Sequence, residues 1–170
     1  PSIAHPRGAG RVALATVLRV GEWVHAGVAT GEEPGAALAG ACGAGHAGQR
    51  LGSLGYPGTF IEVMGPVSDD VGWLNAGAEI VILGNASNGV ANAMAQGKIY
   101  VAGNIGARGM TMTKHNPRFD PPELWVLGSA GDYFGEFMAG GTSVICGYEA
   151  QNSENILGYR PFVGMVGGKV

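Results

Sequence analysis

The 170-residue sequence is 46% hydrophobic and 14% charged, with 32 glycines and a formal net charge of −3. That is enough chain for one domain with a core of its own; the glycines lack the every-third spacing of collagen, and the aliphatic runs exclude a flexible linker. No basic stretch is interleaved with aromatic residues, which points away from nucleic acid, and no apolar run reaches the roughly 18 residues of a membrane span.

Residues 1–44 carry the least information. Arg11 to Val24 reads either as a strand pair around Gly21 or as a short helix. Ala26 to Gly48, rich in Ala and Gly around Glu32-Glu33-Pro34, reads as an irregular first coil, a loop or an Ala-rich helix from Ala36. The apolar piece Val12 to Val20 contains Arg19 and lacks the order of a signal peptide, so a cytoplasmic protein is expected. Gly43-Ala44-Gly45-His46-Ala47-Gly48 matches G-x-G-x-x-G literally, but a dinucleotide site needs a helix after it. The segment from Gln49 to Gly58 holds Gly52, Gly55, Pro57 and Gly58 and cannot be helical. Cys42 and Cys146 belong to no C-x-x-C pattern; two small buried thiols are expected.

From residue 45 onward a repeat takes over, and residues 45–170 are read as one domain. Units begin at Gly65, Gly84, Gly103, Gly128 and Gly147, at spacings of 19, 19, 25 and 19. Counting each first glycine as zero, the seventh position holds Gly72, Ala91 and Gly135, and the thirteenth holds Ala78, Gly97 and Gly141. Positions fifteen and seventeen hold Ile80/Ile82, Ile99/Val101 and Ser143/Ile145, with Leu124/Val126 displaced six positions by the third unit's insertion, the alternation of a pleated strand. The same period runs back to Gly58 beneath Gly77 and to Ile61/Val63 beneath Ile80/Ile82. A unit of about 20 residues with one strand each predicts an all-β solenoid, a parallel β-helix with coils of 19 residues. Stacking would then place Asn85 under Asn104 in a buried ladder and Met94 two coils from Met138. The glycines fit sharp corners and close backbone approach without any ligand.

Ser68-Asp69-Asp70 opens the first full unit and reads as turn chemistry rather than paired acid/base carboxylates. The third unit carries an insertion, Thr113 to Pro122, and the fifth another, near Gln151 to Tyr159. Insertions leave a solenoid as loops, where ligands and partners are met. Lys114, His115 and Arg118 beside Phe119 are the candidate contact for an anion or a partner surface. No nucleophile elbow, P-loop, His-x-x-x-His pair or Cys–His pair occurs, so no catalytic, cofactor-binding or metal-binding residue is assigned. The chain opens on Pro1 and stops at Val170, just after a Gly-Gly, as a piece truncated at its C-terminus would.

The segments GTFIEVMGPVSDDVGWLNAGAEIVILGNASNGVANAMAQGKIYVAGNIGARG and WVLGSAGDYFGEFMAGG resemble the GXGXG-domain family. This is the glycine-repeat β-helix at the C-terminal end of the glutamate synthase large subunit, also found as a separate subunit, and the separate form is the more similar. The resemblance covers about residues 45–170 and implies a right-handed parallel β-helix. It further implies a non-catalytic scaffold in an oxidoreductase complex of glutamate biosynthesis. There a glutaminase releases ammonia, and an FMN/iron–sulfur synthase domain uses it to aminate 2-oxoglutarate reductively. FMN and the iron–sulfur clusters are thus expected in partner subunits and not in this chain. Subunits with the same repeat in formylmethanofuran dehydrogenase and N-methylglutamate synthase are alternatives. A freestanding ligand-binding solenoid is another. A hexapeptide-repeat acyltransferase is disfavoured, because its coil is 18 residues in three hexads and no six-residue sub-repeat is present here.

Overall fold

Ile61/Val63, Ile80/Ile82, Ile99/Val101 and Leu124/Val126 each stand two positions apart within a strand, where that spacing puts both on one face of the pleat. The computed structural model describes residues 17–19, 39–42, 47–151 and 154–170. Its strands are β1 (Val17–Arg19), β2 (Ala39–Cys42), β3 (Phe60–Val63), β4 (Ala76–Ile82), β5 (Gln96–Val101), β6 (Glu123–Val126), β7 (Ala139–Ile145) and β8 (Gly167–Lys169). They form a single eight-stranded sheet in sequence order, every neighbouring pair parallel. Among the described residues there is no helix, and none long and apolar enough to cross a membrane. The architecture is all-β and parallel.

The pairing follows the repeat. Ile61, Ile80, Ile99, Leu124 and Ser143 lie side by side across five strands, as do Val63, Ile82, Val101, Val126 and Ile145. Ile80, Ile82, Ile99 and Leu124 are fully buried, each burial contributing about 1.5–3 kcal/mol. Ser143 breaks the first column, and its buried hydroxyl finds no hydrogen-bond partner. Single-residue bulges lie between Ala76 and Glu79 and between Ala139 and Thr142.

Each pass of the chain also touches the next along two further columns. Parallel bridges join Ala47, Val67, Ala86, Ile105, Ala130 and Leu157 in succession, with Val67, Ala86, Ile105 and Ala130 buried against the sheet. The third column runs through the turns. Leu54, Leu74, Ala93, Met112 and Phe137 all sit in the left-handed region at φ 53–56°, which costs a non-glycine residue about 1–2 kcal/mol. Their N–H groups bond to carbonyls of the next pass, on Trp73, Asn92, Thr111, Glu136 and Val163, at 2.8–3.0 Å. These bonds offset the strain and hold the turn conformation. Val71, Val90, Met94, Phe134 and Met138 from the turns complete the core. Met94 and Met138 are two passes apart with buried Thr113 between them, since Lys114 N–H bonds Met94 O and Ala139 N–H bonds Thr113 O.

The sheet extends to the N-terminal side of residue 45. Val17 pairs with Ala39 and Ala41 with Glu62, so Ala39–Cys42, inside the stretch read as an irregular first coil, a loop or a helix, is a strand of the sheet. Residues Gly43 to His46 of the G-x-G-x-x-G match lie outside the described residues. Two expectations are corrected. Asn85 and Asn104 do stack, but at the surface, exposed and half-buried, because their corner points away from the core. Cys146 is a free, exposed thiol; it directly follows β7 on the side opposite Ile145.

Candidate functional site

The glycine columns bring passes together at backbone distance. Gly103 N–H donates to Gly84 O at 3.0 Å, Gly128 to Gly103 at 3.0 Å and Gly147 to Gly128 at 2.9 Å. A Cβ added at Gly84 would lie 2.6 Å from the carbonyl of Gly65, so only hydrogen fits there. Gly72 and Gly135 occupy the middle, inward-facing position of the turns, in line with Ala91. Gly77 lies against Pro57, and Gly97 and Gly141 back onto the carbonyl groups of Ala78 and Pro122. Every one of these glycines is accounted for by contact between passes.

Next to the glycine column the polar corner side chains serve the backbone. Asn85 Oδ1 accepts the N–H of Asn104 at 2.8 Å, and Asn104 Oδ1 accepts both the N–H and the hydroxyl of Ser129 at 2.7 Å. Ser129 Oγ in turn accepts the N–H of Gln151 at 3.3 Å. Asp69 Oδ1 accepts the backbone and side-chain amides of Asn88, whose Oδ1 accepts the N–H of Ala107 at 2.8 Å. Asp70 pairs with Arg50 at 3.8 Å on the surface. The Ser68-Asp69-Asp70 carboxylates are thus tied to neighbouring passes rather than to each other, as turn chemistry requires. Asn75, fully buried, closes its own turn: its Oδ1 accepts the N–H groups of Gly77 and Ala78, and its Nδ2 donates to Ala78 O. Along this corner runs a shallow groove of about 340 Å³ lined by Asn85, Ser87, Asn88, Asn104 and Gln151, among others.

The insertion from Thr113 to Pro122 stands on a buried root. The Thr113 hydroxyl donates to Gly140 O at 2.7 Å, and the backbone of His115 rests on Gly140. Beyond it Lys114, His115, Arg118 and Phe119 are all exposed. Asn116 folds the loop on itself, accepting the N–H of Phe119 at its carbonyl and that of Arg118 at its side chain. His115 Nε2 lies 3.1 Å from Phe119 O. The structure therefore brings His115 to the backbone of Phe119. Lys114 and Arg118 make no ion pair among the described residues. A smaller hollow of about 150 Å³ lies between the loop's Asp120-Pro121 and Glu79, Gln96 and Lys98 of the sheet.

A further surface went unnoticed in the sequence. With Ile80 and Ile82 facing in, Glu79, Val81 and Leu83 face out, and the register repeats this from β3 to β7. One outward column reads Glu62, Val81, Tyr100, Trp125 and Val144. Beside it come Met64, Leu83, Ala102 and Leu127, then Cys146, each of the last four donating its N–H to the strand before it. Met64 (51%), Leu83 (44%), Trp125 (40%) and Leu127 (42%) are substantially exposed. On the other flank stand Glu79, Lys98 and Glu123, with Lys98 Nζ 3.9 Å from Glu123 Oε1. Trp125 Nε1–H donates to Glu123 Oε2 at 3.1 Å. The available signal was the run of apolar residues alternating with the core pairs, Val81, Tyr100, Trp125 and Val144 among them.

Among the described residues no three His, Cys, Asp or Glu side chains come together as metal ligands would. In comparisons with models of protein families, with curated proteins and with solved structures, no match to this chain was found.

Proposed function

We propose that the chain is a scaffold of the GXGXG type: a right-handed parallel β-helix with coils of about 19 residues, holding other subunits of a glutamate synthase-like complex in register. The observation that carries this reading is the stacking of the motif residues. The glycines of GNASNG, GNIGARG and GSAGDYFGEF head successive passes and bond directly to one another. The three columns of contact between passes are what a β-helix requires. The right hand follows from the usual sense of parallel crossovers. Polar side chains at the corners spend their acceptors on the next pass, which suits a rigid support.

In this reading a glutaminase subunit releases ammonia and an FMN/iron–sulfur synthase subunit carries out the reductive amination of 2-oxoglutarate, both in the cytoplasm. The flavin and the clusters belong to those partners. The exposed insertion loop bearing Lys114, His115, Arg118 and Phe119 is one candidate contact.

The test is isolation of the tagged full-length protein from its own source, followed by mass spectrometry of the proteins that stay bound. A glutaminase together with an FMN/iron–sulfur subunit is the expected result. Molybdopterin and amidohydrolase subunits would redirect the reading to the formylmethanofuran dehydrogenase type. A chain that emerges alone would overturn it in favour of a freestanding ligand-binding solenoid.

A further inference from the structure

Asn88-Gly89 is the one Asn-Gly step in the sequence; the other asparagines are followed by Ala, Ile, Pro or Ser. With no Cβ on the second residue, its backbone nitrogen is unshielded, so an Asn-Gly step closes a succinimide ring more readily than these. Asn88 is exposed, and Gly89 lies in the left-handed region at φ 73°. In the fold both reacting groups are held by one residue of the next pass. The Gly89 N–H donates to Ala107 O at 2.8 Å, and Asn88 Oδ1 accepts the Ala107 N–H at 2.8 Å. The preceding pass holds the rest of Asn88. Its N–H and Nδ2 donate to Asp69 Oδ1 at 2.9 and 3.2 Å, and its carbonyl accepts the N–H of Asp70 at 2.8 Å.

We propose that Asn88 is a deamidation site held shut by Ala107, modified when that contact opens, and that the modification then loosens the stack. On opening, the Gly89 nitrogen loses its proton to solvent and attacks Asn88 Cγ. The bond from Cγ to the side-chain nitrogen breaks, and that nitrogen leaves as ammonia. Water then adds to one carbonyl of the cyclic imide and breaks its bond to the Gly89 nitrogen, leaving aspartate or isoaspartate. One water is consumed and no oxidation state changes. Aspartate keeps an acceptor for Ala107 but replaces the amide that donates to Asp69 by a second carboxylate at hydrogen-bond distance, where like charges repel. Isoaspartate routes the chain through the side-chain carbon, so the pass gains a backbone atom between its bonds to Asp69 and those to Ala107. Either product hinders reclosing, which makes the change an irreversible record of opening at this corner. The inference does not depend on the scaffold reading.

The experiment ages the full chain at one pH and temperature, folded in buffer and unfolded in guanidinium chloride, and follows every asparagine by peptide mapping and mass spectrometry. In the unfolded chain Asn88 is expected to deamidate faster than any other asparagine. In the folded chain its rate should fall by about tenfold or more, since local opening must come first. The modified protein, separated by anion exchange through its added negative charge, should unfold at a lower urea concentration than the unmodified protein. Asn88→Asp should do the same, whereas Asn88→Ser aged in parallel should show no further drop with time. Should Asn88→Asp not fold, the aged wild-type chain still supplies the urea midpoint. Equal rates at Asn88 in the folded and unfolded chain would overturn the closure by Ala107. An unfolded chain in which Asn88 reacts no faster than Asn85 would overturn the site itself. A modified protein with an unshifted midpoint would overturn the loosening of the stack.

Discussion

At Gly97 the backbone φ is +99°, and a Cβ there would run into the carbonyl oxygen of Ala78 on the preceding pass. Both the conformation and the space exclude a branched side chain. Gly97→Val should lower stability by about 2–4 kcal/mol, read as a shift in the urea midpoint; an unshifted midpoint would mean the passes are not stacked in this register. The asparagines give a second comparison at the same scale. Asn75 satisfies three backbone groups in a fully buried turn, and Asn85 satisfies one at the surface. Asn75→Ala should cost about 2–4 kcal/mol, because buried N–H groups lose their acceptor, while Asn85→Ala should cost about 1 kcal/mol or less, since water replaces it. Equal losses in chemical denaturation would contradict the assigned burial. The two residues look alike in the sequence. Only the neighbours from adjacent passes distinguish them.

Among the elements, the strands and the insertions were legible and the faces were not. The strands follow from alternation within a few residues, a local property. The insertion at Thr113–Pro122 shows as a break in period, 25 residues instead of 19 between Asn104 and its successor Ser129. Its fold was not legible, because the Thr113 anchor is a bond to Gly140, 27 residues away. Since Lys114, His115 and Arg118 lie beyond that root and are exposed, replacing all three by Ala should leave the melting temperature within about 2 °C of wild type. A larger drop in a calorimetric scan would mean that the loop supports the stack rather than merely leaving it. The surface-exposed ion pairs give no reason to expect more, each worth about 0–1 kcal/mol.

In the molecule as a whole, each pass is stabilised by the pass on either side, so a core residue matters in proportion to the neighbours that cover it. Ile99 is fully buried in the middle of the sheet, whereas Met165 on the last described pass is only partly buried. Ile99→Ala is expected to cost about 2–5 kcal/mol and Met165→Ala about 1 kcal/mol or less. Amide hydrogen exchange should agree, with β4–β6 protected longest and β8 least. Uniform protection from β3 to β8 would argue for a single cooperative block instead.

The sequence alone determined the period, the strand positions and the columns of glycine, because each depends on residue spacing and on steric limits that act within one pass. Tertiary structure decided which way those columns face. In the run Ile80-Val81-Ile82-Leu83 every side chain is apolar. It took the next pass, laid over Ile80 and Ile82 through Ile99 and Val101, to bury one pair and leave Leu83 in solvent. The exposed Cys146, the surface asparagine ladder and the apolar outer sheet face have the same origin. Burial belongs to the stack of passes and not to any single pass, so no local pattern records it.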